Sequence, residues 1–253
     1  MGTALVTGAS SGLGLEFAWQ LAAAKHNLVL VARDTGRLTE LANQLRAAAN
    51  VRVEVLPADL TDRADLEVVA QRLRSLERPV GLLVNNAGLG LGQGFVGGDL
   101  DREVTALNLM IKAVLVLSHA AAEQMSSRGR GAILNVGSVA GHLAAGSYSA
   151  HKAWVRSFTE SLAVELRQTG VTATVLQPGF VRTEFHERAK IDTQVLPDLA
   201  WLNAEDVVAA ALRDVRRGVV LSTPSLRYRA ATGLLRLAPR RVIRAFGHYD
   251  AAN

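Results

Sequence analysis

The 253-residue chain contains no cysteine. Disulfides, thiolate metal sites and cysteine nucleophiles are therefore excluded. Aromatic residues contribute only 5%, and the 49% hydrophobic content is mostly Ala, Val and Leu, which suits helices packed closely on a sheet. No Ser/Pro/Gly-rich linker, low-complexity run or repeat divides the chain, and the length suits one domain. No uninterrupted apolar run reaches the ~18–20 residues of a membrane span. The strand pattern starts at Thr3 with no basic leader before it, so a cytoplasmic protein is expected. Acidic residues are scarce at the end. Residues 225–253 hold six arginines (Arg227, Arg229, Arg236, Arg240, Arg241, Arg244) and one acid, Asp250. The net charge of +5 sits wholly in this tail, since the first 224 residues carry 22 bases and 22 acids. A nucleic-acid face spread over the domain is thereby excluded as a reading.

Strand-like and helix-like runs alternate along the chain. Apolar runs at 3–7, 27–32, 52–56, 80–85, 132–136, 172–177 and 218–221 read as strands. Helical spacing marks 15–24, 38–48, 65–76, 105–125, 147–169 and 204–216. Apolar strands separated by helices predict an α/β fold, a Rossmann-type doubly wound parallel sheet with helices on both faces. Its ligand should lie beyond the carboxyl ends of the strands, where the strand order reverses.

The first strand leads into Thr7-Gly8-Ala9-Ser10-Ser11-Gly12-Leu13-Gly14. Glycines allow a tight turn and let backbone amides approach a pyrophosphate, and the following helix N-terminus adds partial positive charge. The spacing is Gly-x-x-x-Gly-x-Gly, unlike the Gly-x-Gly-x-x-Gly fingerprint. The adenosine ribose should be read at the end of the second strand, Val31-Ala32-Arg33-Asp34. Arg33 can fork onto a 2′-phosphate, with Arg37 in support. Asp34 would select NAD if it faced the ribose. NADP(H) is the expected cofactor and NAD(H) the second choice.

Tyr148 and Lys152 lie at i and i+4 of a predicted helix, so phenol and ammonium share one face. A nearby cation favours the phenolate and makes tyrosine a usable acid and base. Ser138 ends the strand at 132–136, where its hydroxyl can orient a carbonyl and stabilise oxyanion charge. Asn85-Asn86-Ala87-Gly88 ends the strand at 80–85 and can border a flat cofactor. Asn108 interrupts an apolar helical run, where an amide needs a partner or bends the helix.

With these residues in order, the chain resembles the short-chain dehydrogenase/reductase family in its compact one-domain branch. The matching residues are Thr7-Gly8-x-x-x-Gly12-x-Gly14, Asp59, Asn85-Asn86-Ala87-Gly88, Asn108, Ser138, Tyr148-x-x-x-Lys152, and Pro178-Gly179 with Thr183. The resemblance implies that Tyr148 is the acid/base, Lys152 its electrostatic tuner and ribose ligand, and Ser138 the carbonyl orienter. It implies that Asn108 holds a water for proton relay. Asp59 and Leu60 would contact the adenine; Asn86, Ala87 and Gly88 would line the cofactor. Pro178, Gly179, Val181 and Thr183 would embrace the nicotinamide. The resemblance also implies a homodimer or homotetramer. No metal is expected.

Other features belong to this chain. Residues 184–202 fall where such folds place a lid, with Phe185, Ile191, Val195, Leu196, Leu199 and Trp201 among its apolar residues, and together with the stretch 88–98 they suggest a lipophilic or bulky substrate. The stretch 88–98 is expected as a pocket wall. His142 is placed at the pocket border and His151 on the surface or at a subunit contact. The domain is expected over 1–224, with 225–253 a basic amphipathic extension. That extension packs on the domain or a partner subunit, or contacts an anionic membrane peripherally. The function read here is NADP(H)-dependent interconversion of a small-molecule carbonyl and alcohol. The competing class is a catalytically silent NADP(H)-binding sensor, which would need the glycine loop and not the acid/base set. An epimerase or dehydratase would need a larger substrate domain than this length allows.

Overall fold

The computed structural model describes residues 2–185 and 197–245. Strand β1 (Thr3–Thr7) pairs with β2 (Asn27–Ala32) on one side and β4 (Val80–Asn85) on the other. The pairing continues through β3 (Val53–Pro57), β5 (Gly131–Val136), β6 (Val171–Leu176) and β9 (Leu221–Ser222). The order is β3-β2-β1-β4-β5-β6-β9, parallel throughout.

Alternate strand residues face opposite layers. Ala4, Val6, Leu28, Leu30, Val84 and Leu134 face α1 (Gly12–Ala23), α2 (Thr35–Ala49) and α7 (Ala204–Arg216). Leu5, Val29, Val31, Leu83 and Ile133 face α3 (Arg63–Arg74), α5 (Ala113–Ser127) and α6 (Gly146–Glu165). Each fully buried leucine or valine contributes roughly 1.5–3 kcal/mol, so runs apolar on both faces stabilise the sheet centre. The order reverses between β1 and β4, which brings their following loops together.

The helix starts expected at 38 and 65 lie further upstream in the structure. Asp34 caps α2 by accepting from the Arg37 amide, and Asp62 caps α3 by accepting from the Ala64 and Asp65 amides. Asp99 likewise caps α4 (Leu100–Leu107). Side-chain oxygens that satisfy orphan first-turn amides start a helix before its apolar periodicity does.

The helix expected at 105–125 spans Leu100–Ser127, 28 residues, with a π turn at Asn108–Lys112 between α4 and α5. It is long and apolar enough on length and composition to cross a membrane. Polar residues punctuate it, so it holds no uninterrupted apolar run of that length. Leu117, Ala120, Ala121 and Met125 are buried against the sheet and α3, as in a core helix.

The last strand lies at Leu221–Ser222, not at 218–221. Gly218, at φ +66°, ends α7 in the left-handed region, and its amide bonds the Val215 carbonyl. Two short parallel strands, β7 (Phe180–Val181) and β8 (Trp201–Leu202), join the segments flanking 186–196. Of the expected lid, Ile191, Val195 and Leu196 lie outside the described residues. Past β9, α8 (Leu226–Leu237) and α9 (Arg240–Ala245) dock through Tyr228, Thr232 and Ile243. Residues 246–253 lie outside the description.

Candidate active site

The loops after β1 and β4 are tied to each other. The Thr7 hydroxyl accepts from the Asn86 and Ala87 amides, both at 3.0 Å, and donates to the Val84 carbonyl. Asn86 Nδ2 donates to the Thr7 carbonyl at 2.9 Å and to the Gly8 carbonyl at 3.3 Å. The Asn86 side chain thus holds the glycine loop in shape, and the Thr7 hydroxyl, which the sequence reading left without a role, does the same.

Two glycines are required by this packing. Gly8 sits at φ +65°, and a Cβ on Gly14 would lie 2.1 Å from the Gly8 carbonyl oxygen. Gly12, at φ +55°, opens α1 and faces the Thr183 side chain at 3.5 Å from its notional Cβ. Ser10, Ser11 and Leu13 complete a loop whose first helical amides lack intrahelical partners.

Beyond β2, Arg33 is exposed. The Asp34 carboxylate is engaged as the α2 cap and lies 3.6 Å from Arg37 Nε. Burial raises the Asp59 pKa, but hydrogen bonds from the Thr61 hydroxyl and amide, with the Arg33 charge, outweigh it and hold the carboxyl below its usual range. Arg33 and Asp59 are therefore electrostatic neighbours at the carboxyl ends of β2 and β3. The Leu60 side chain is buried in the core.

Ser138, just past β5, accepts from the Ala140 amide at 3.1 Å and starts a short 3-10 turn, Val139–His142. The turn lies so close to α6 that a Cβ on Gly141 would meet the Lys152 backbone at 2.8 Å. Gly141 carries no local signal in the sequence. It lets the Ser138 loop press against the helix that carries Tyr148.

On α6, Tyr148 and Lys152 share a face. Lys152 Nζ is 5.7 Å from the Tyr148 ring centre and donates to the Val136 carbonyl at 2.7 Å. Burial pushes the Tyr148 phenol up to about 12, opposed by the neighbouring Ser138 hydroxyl. Burial pushes Lys152 down to about 8. Lys152 Nζ lies 3.8 Å from the notional Cβ of Gly88, so these two helix residues reach the β4 loop. The π turn bearing Asn108 packs on α6. Its i+5 bond, from the Ala113 amide to the Asn108 carbonyl, is how the helix accommodates the amide.

Pro178 accepts from the Val139 amide through its carbonyl at 3.1 Å. Gly179 lies against the ring of Tyr228, whose hydroxyl donates to the Ala200 carbonyl at 2.7 Å and accepts from the Phe180 amide at 3.2 Å. Val181 is buried. The Phe185 ring stands 6.1 Å from that of Tyr148 and gives the site an apolar wall.

His151, Glu103 and Tyr228 also hold places that the sequence does not signal. His151 is buried within the chain, 7% exposed, rather than on its surface. Burial and the Lys152 charge lower its pKa, and Glu103 opposes them. Glu103 is itself buried and accepts from Ser147 Oγ at 2.6 Å and Gln93 Nε2 at 3.1 Å, tying the 88–98 stretch to α6. Tyr228 lies 48 residues beyond Phe180, and no local signal pairs them.

The short chain dehydrogenase model matches residues 2–194. The chain belongs to this family. A short-chain dehydrogenase from Sphingobium yanoikuyae, solved in complex with NADPH, is 36% identical with a TM-score of 0.86. The match covers 100% of this chain and 98% of that one. Sulfoacetaldehyde reductase 2 of Chromohalobacter salexigens is 38% identical over 214 residues, 80% of this chain and 84% of the relative. A short chain dehydrogenase/reductase from Burkholderia phymatum, solved with NAD, is 26% identical with a TM-score of 0.80, covering 92% of both chains. The seven-stranded parallel sheet is the fold of this family. An oxidoreductase with a nicotinamide cofactor is what membership supports, and these neighbours divide between the two dinucleotides.

Proposed function

We propose that this short-chain dehydrogenase is an NADP(H)-dependent oxidoreductase that interconverts a carbonyl and an alcohol, with Tyr148 as general acid/base. The observation that carries the reading is the convergence of Ser138, Tyr148 and Lys152 at the carboxyl edge of the sheet, beside the β1–β4 switch point.

The residues present fit a dinucleotide. Gly8, Ser10, Ser11, Gly12, Leu13 and Gly14 form a backbone cradle at the α1 N-terminus, where partial positive charge suits a pyrophosphate. Asp59 and Leu60 would border the adenine, Ala87 and Gly88 the central part, and Pro178, Gly179, Val181 and Thr183 the nicotinamide end. Asp34 is held by its cap bond and Arg37. Arg33 is exposed at the strand end, so the group free to read the ribose is a guanidinium suited to a 2′-phosphate.

When bound, the nicotinamide exchanges a hydride with the substrate carbon. The Ser138 hydroxyl and the Tyr148 phenol donate to the substrate oxygen and fix its place. In reduction, Tyr148 passes its proton to that oxygen as negative charge develops. With its pKa raised to about 12, the phenol is protonated at neutral pH and ready for this step. The Lys152 ammonium, when charged, stabilises the phenolate left behind. Asn108 on the π turn would hold a water that returns the proton. Phe185 beside Tyr148 favours a lipophilic substituent.

The test is fluorescence titration of wild type and Tyr148→Phe with NADPH and NADH, alongside turnover of a carbonyl panel. Expected are tighter NADPH binding by both proteins and a loss of turnover of about 10²–10⁴-fold in the variant. Tighter NADH binding would overturn the cofactor assignment, and undiminished turnover would overturn the role of Tyr148.

A further inference from the structure

A second polar pocket lies where α6 meets the C-terminal helices. It has a volume of about 200 Å³ and is lined by His142, Arg156, Leu235, Arg236, Ala238 and Arg240. None of the residues assigned to catalysis or cofactor binding lines it. Its three guanidinium groups come from the middle of α6, the end of α8 and the start of α9. Among the described residues, no carboxylate stands within ion-pairing distance of any of them.

Three like charges converging without a counter-charge repel one another. His142, 5% exposed, lies beside two of them. Burial first, then Arg156 and Arg236, push its pKa down to about 4. Arg156 is fixed in place, because one terminal nitrogen bonds His142 Nδ1 at 2.6 Å. Its Nε is buried and has no hydrogen-bond partner, which leaves a charged donor unsatisfied. Leu235 and Ala238 supply the apolar part of its lining. Forked donors, uncompensated positive charge and a space several times one water's share of roughly 30 Å³ suit an oxyanion bound by several arginines at once.

We propose that this pocket binds a phosphate-class oxyanion, which fastens α8 and α9 onto α6 behind the Ser138 turn. The ring of His142 connects the pocket to the active-site side of the sheet, because it also contacts Gln177, the residue before Pro178, at 3.0 Å. The inference does not rest on the proposed dehydrogenase reaction, and its test reads no turnover.

Two sources supply this chemistry: a free or small-molecule phosphate, and a lipid headgroup. On α8 the docked residues Tyr228, Thr232 and Leu235 occupy one face. Leu226, Leu234 and Leu237, exposed at 79%, 71% and 85%, form a stripe on the opposite one. Arg227, Arg229 and Arg236 flank that stripe, as in helices that lie on anionic bilayers.

The experiment compares wild type with the Arg236→Gln/Arg240→Gln double variant, whose altered side chains are exposed. One arm titrates inorganic phosphate against sodium chloride at matched ionic strength, reading the melting temperature and the His142 ring resonances. The other arm sediments the protein with phosphatidylglycerol vesicles and with phosphatidylcholine vesicles. A saturable rise in wild-type Tm of about 2–4 °C, an upward His142 pKa shift, and the loss of both in the variant support the site with free phosphate as its ligand. No phosphate response, with sedimentation on anionic vesicles that the variant loses, supports it with a headgroup as the ligand. Equal responses of both proteins in both arms, or no response in either arm, overturn the proposal.

Discussion

Replacing Gly179 with alanine would place a methyl carbon 2.0 Å from Cζ of Tyr228, with Cε2 and Cε1 at 2.2 and 2.5 Å. Carbon atoms in contact sit about 3.5–4.0 Å apart, so the ring or the turn must move by about 1.5 Å. The ring is not free to do so, because its hydroxyl is bonded both to the Ala200 carbonyl and to the Phe180 amide. The Gly179 φ angle lies outside the left-handed region, so the ring contact alone decides the effect. Overpacking with the strain on two hydrogen bonds corresponds to about 2–3 kcal/mol, or a fall in Tm of about 4–12 °C for a chain of this size. Tyr228→Ala removes the obstacle at its own cost in burial and hydrogen bonds. In the double variant the clash is gone, so a coupling of about 2 kcal/mol should appear as less destabilisation than the sum of the singles. Urea unfolding of the wild type, both single variants and the double variant measures it. Additive behaviour within about 0.5 kcal/mol would show that Tyr228 does not press on this turn, and the docking of α8 on the 178–181 turn would be refuted.

Gly14→Ala differs in that its obstacles are the Gly8 carbonyl at 2.1 Å and Asn86 Nδ2 at 2.5 Å, and backbone cannot step aside; dinucleotide binding should be lost in a fluorescence titration, with no single second-site truncation restoring it. Burial sets the folded Lys152 pKa at about 8, below its usual 10.5. The unfolded chain therefore binds more protons between those values, and stability rises with pH across that window. The Tm difference between wild type and Lys152→Met should accordingly move in favour of wild type from pH 8 to 10.5, and a constant difference would refute the burial of the ammonium. His142, pushed from 6.5 to about 4, also has its extra protons in the unfolded chain, so stability falls on acidification from pH 6.5 to 4. His142→Asn should flatten that limb in thermal melts across the same range.

The sequence is most legible where the determining forces are local. A short run apolar on both faces, set between helical runs, suits an interior parallel strand, and β1, β2 and β4 lie where such runs stand. The i,i+4 spacing of Tyr148 and Lys152 places phenol and ammonium together wherever that stretch is helical. Helices start upstream of their apolar periodicity, because Asp34, Asp62 and Asp99 cap the first turns before that periodicity begins. Asn108 is a misfit in an apolar helix, and a π turn resolves it.

Local rules do not reach contacts made across the fold. His151 is a polar residue on a helix, and only the packing of α4 on α6, with Glu103 and Ser147 between them, makes it an interior one. Gly141 is one more loop glycine until α6 lies against it. Tyr228 and Gly179, or Arg156 and Arg240, are distant in sequence, and nothing in either neighbourhood specifies the other. The sequence by itself determined the order of strands and helices, the glycine loop and the shared helix face of Tyr148 and Lys152. Hydrogen bonding and side-chain periodicity within a few residues dictate these. The tertiary structure alone decided which arginines converge, which histidines lose water and what the C-terminal helix braces, because those depend on burial and on loop closure over tens of residues.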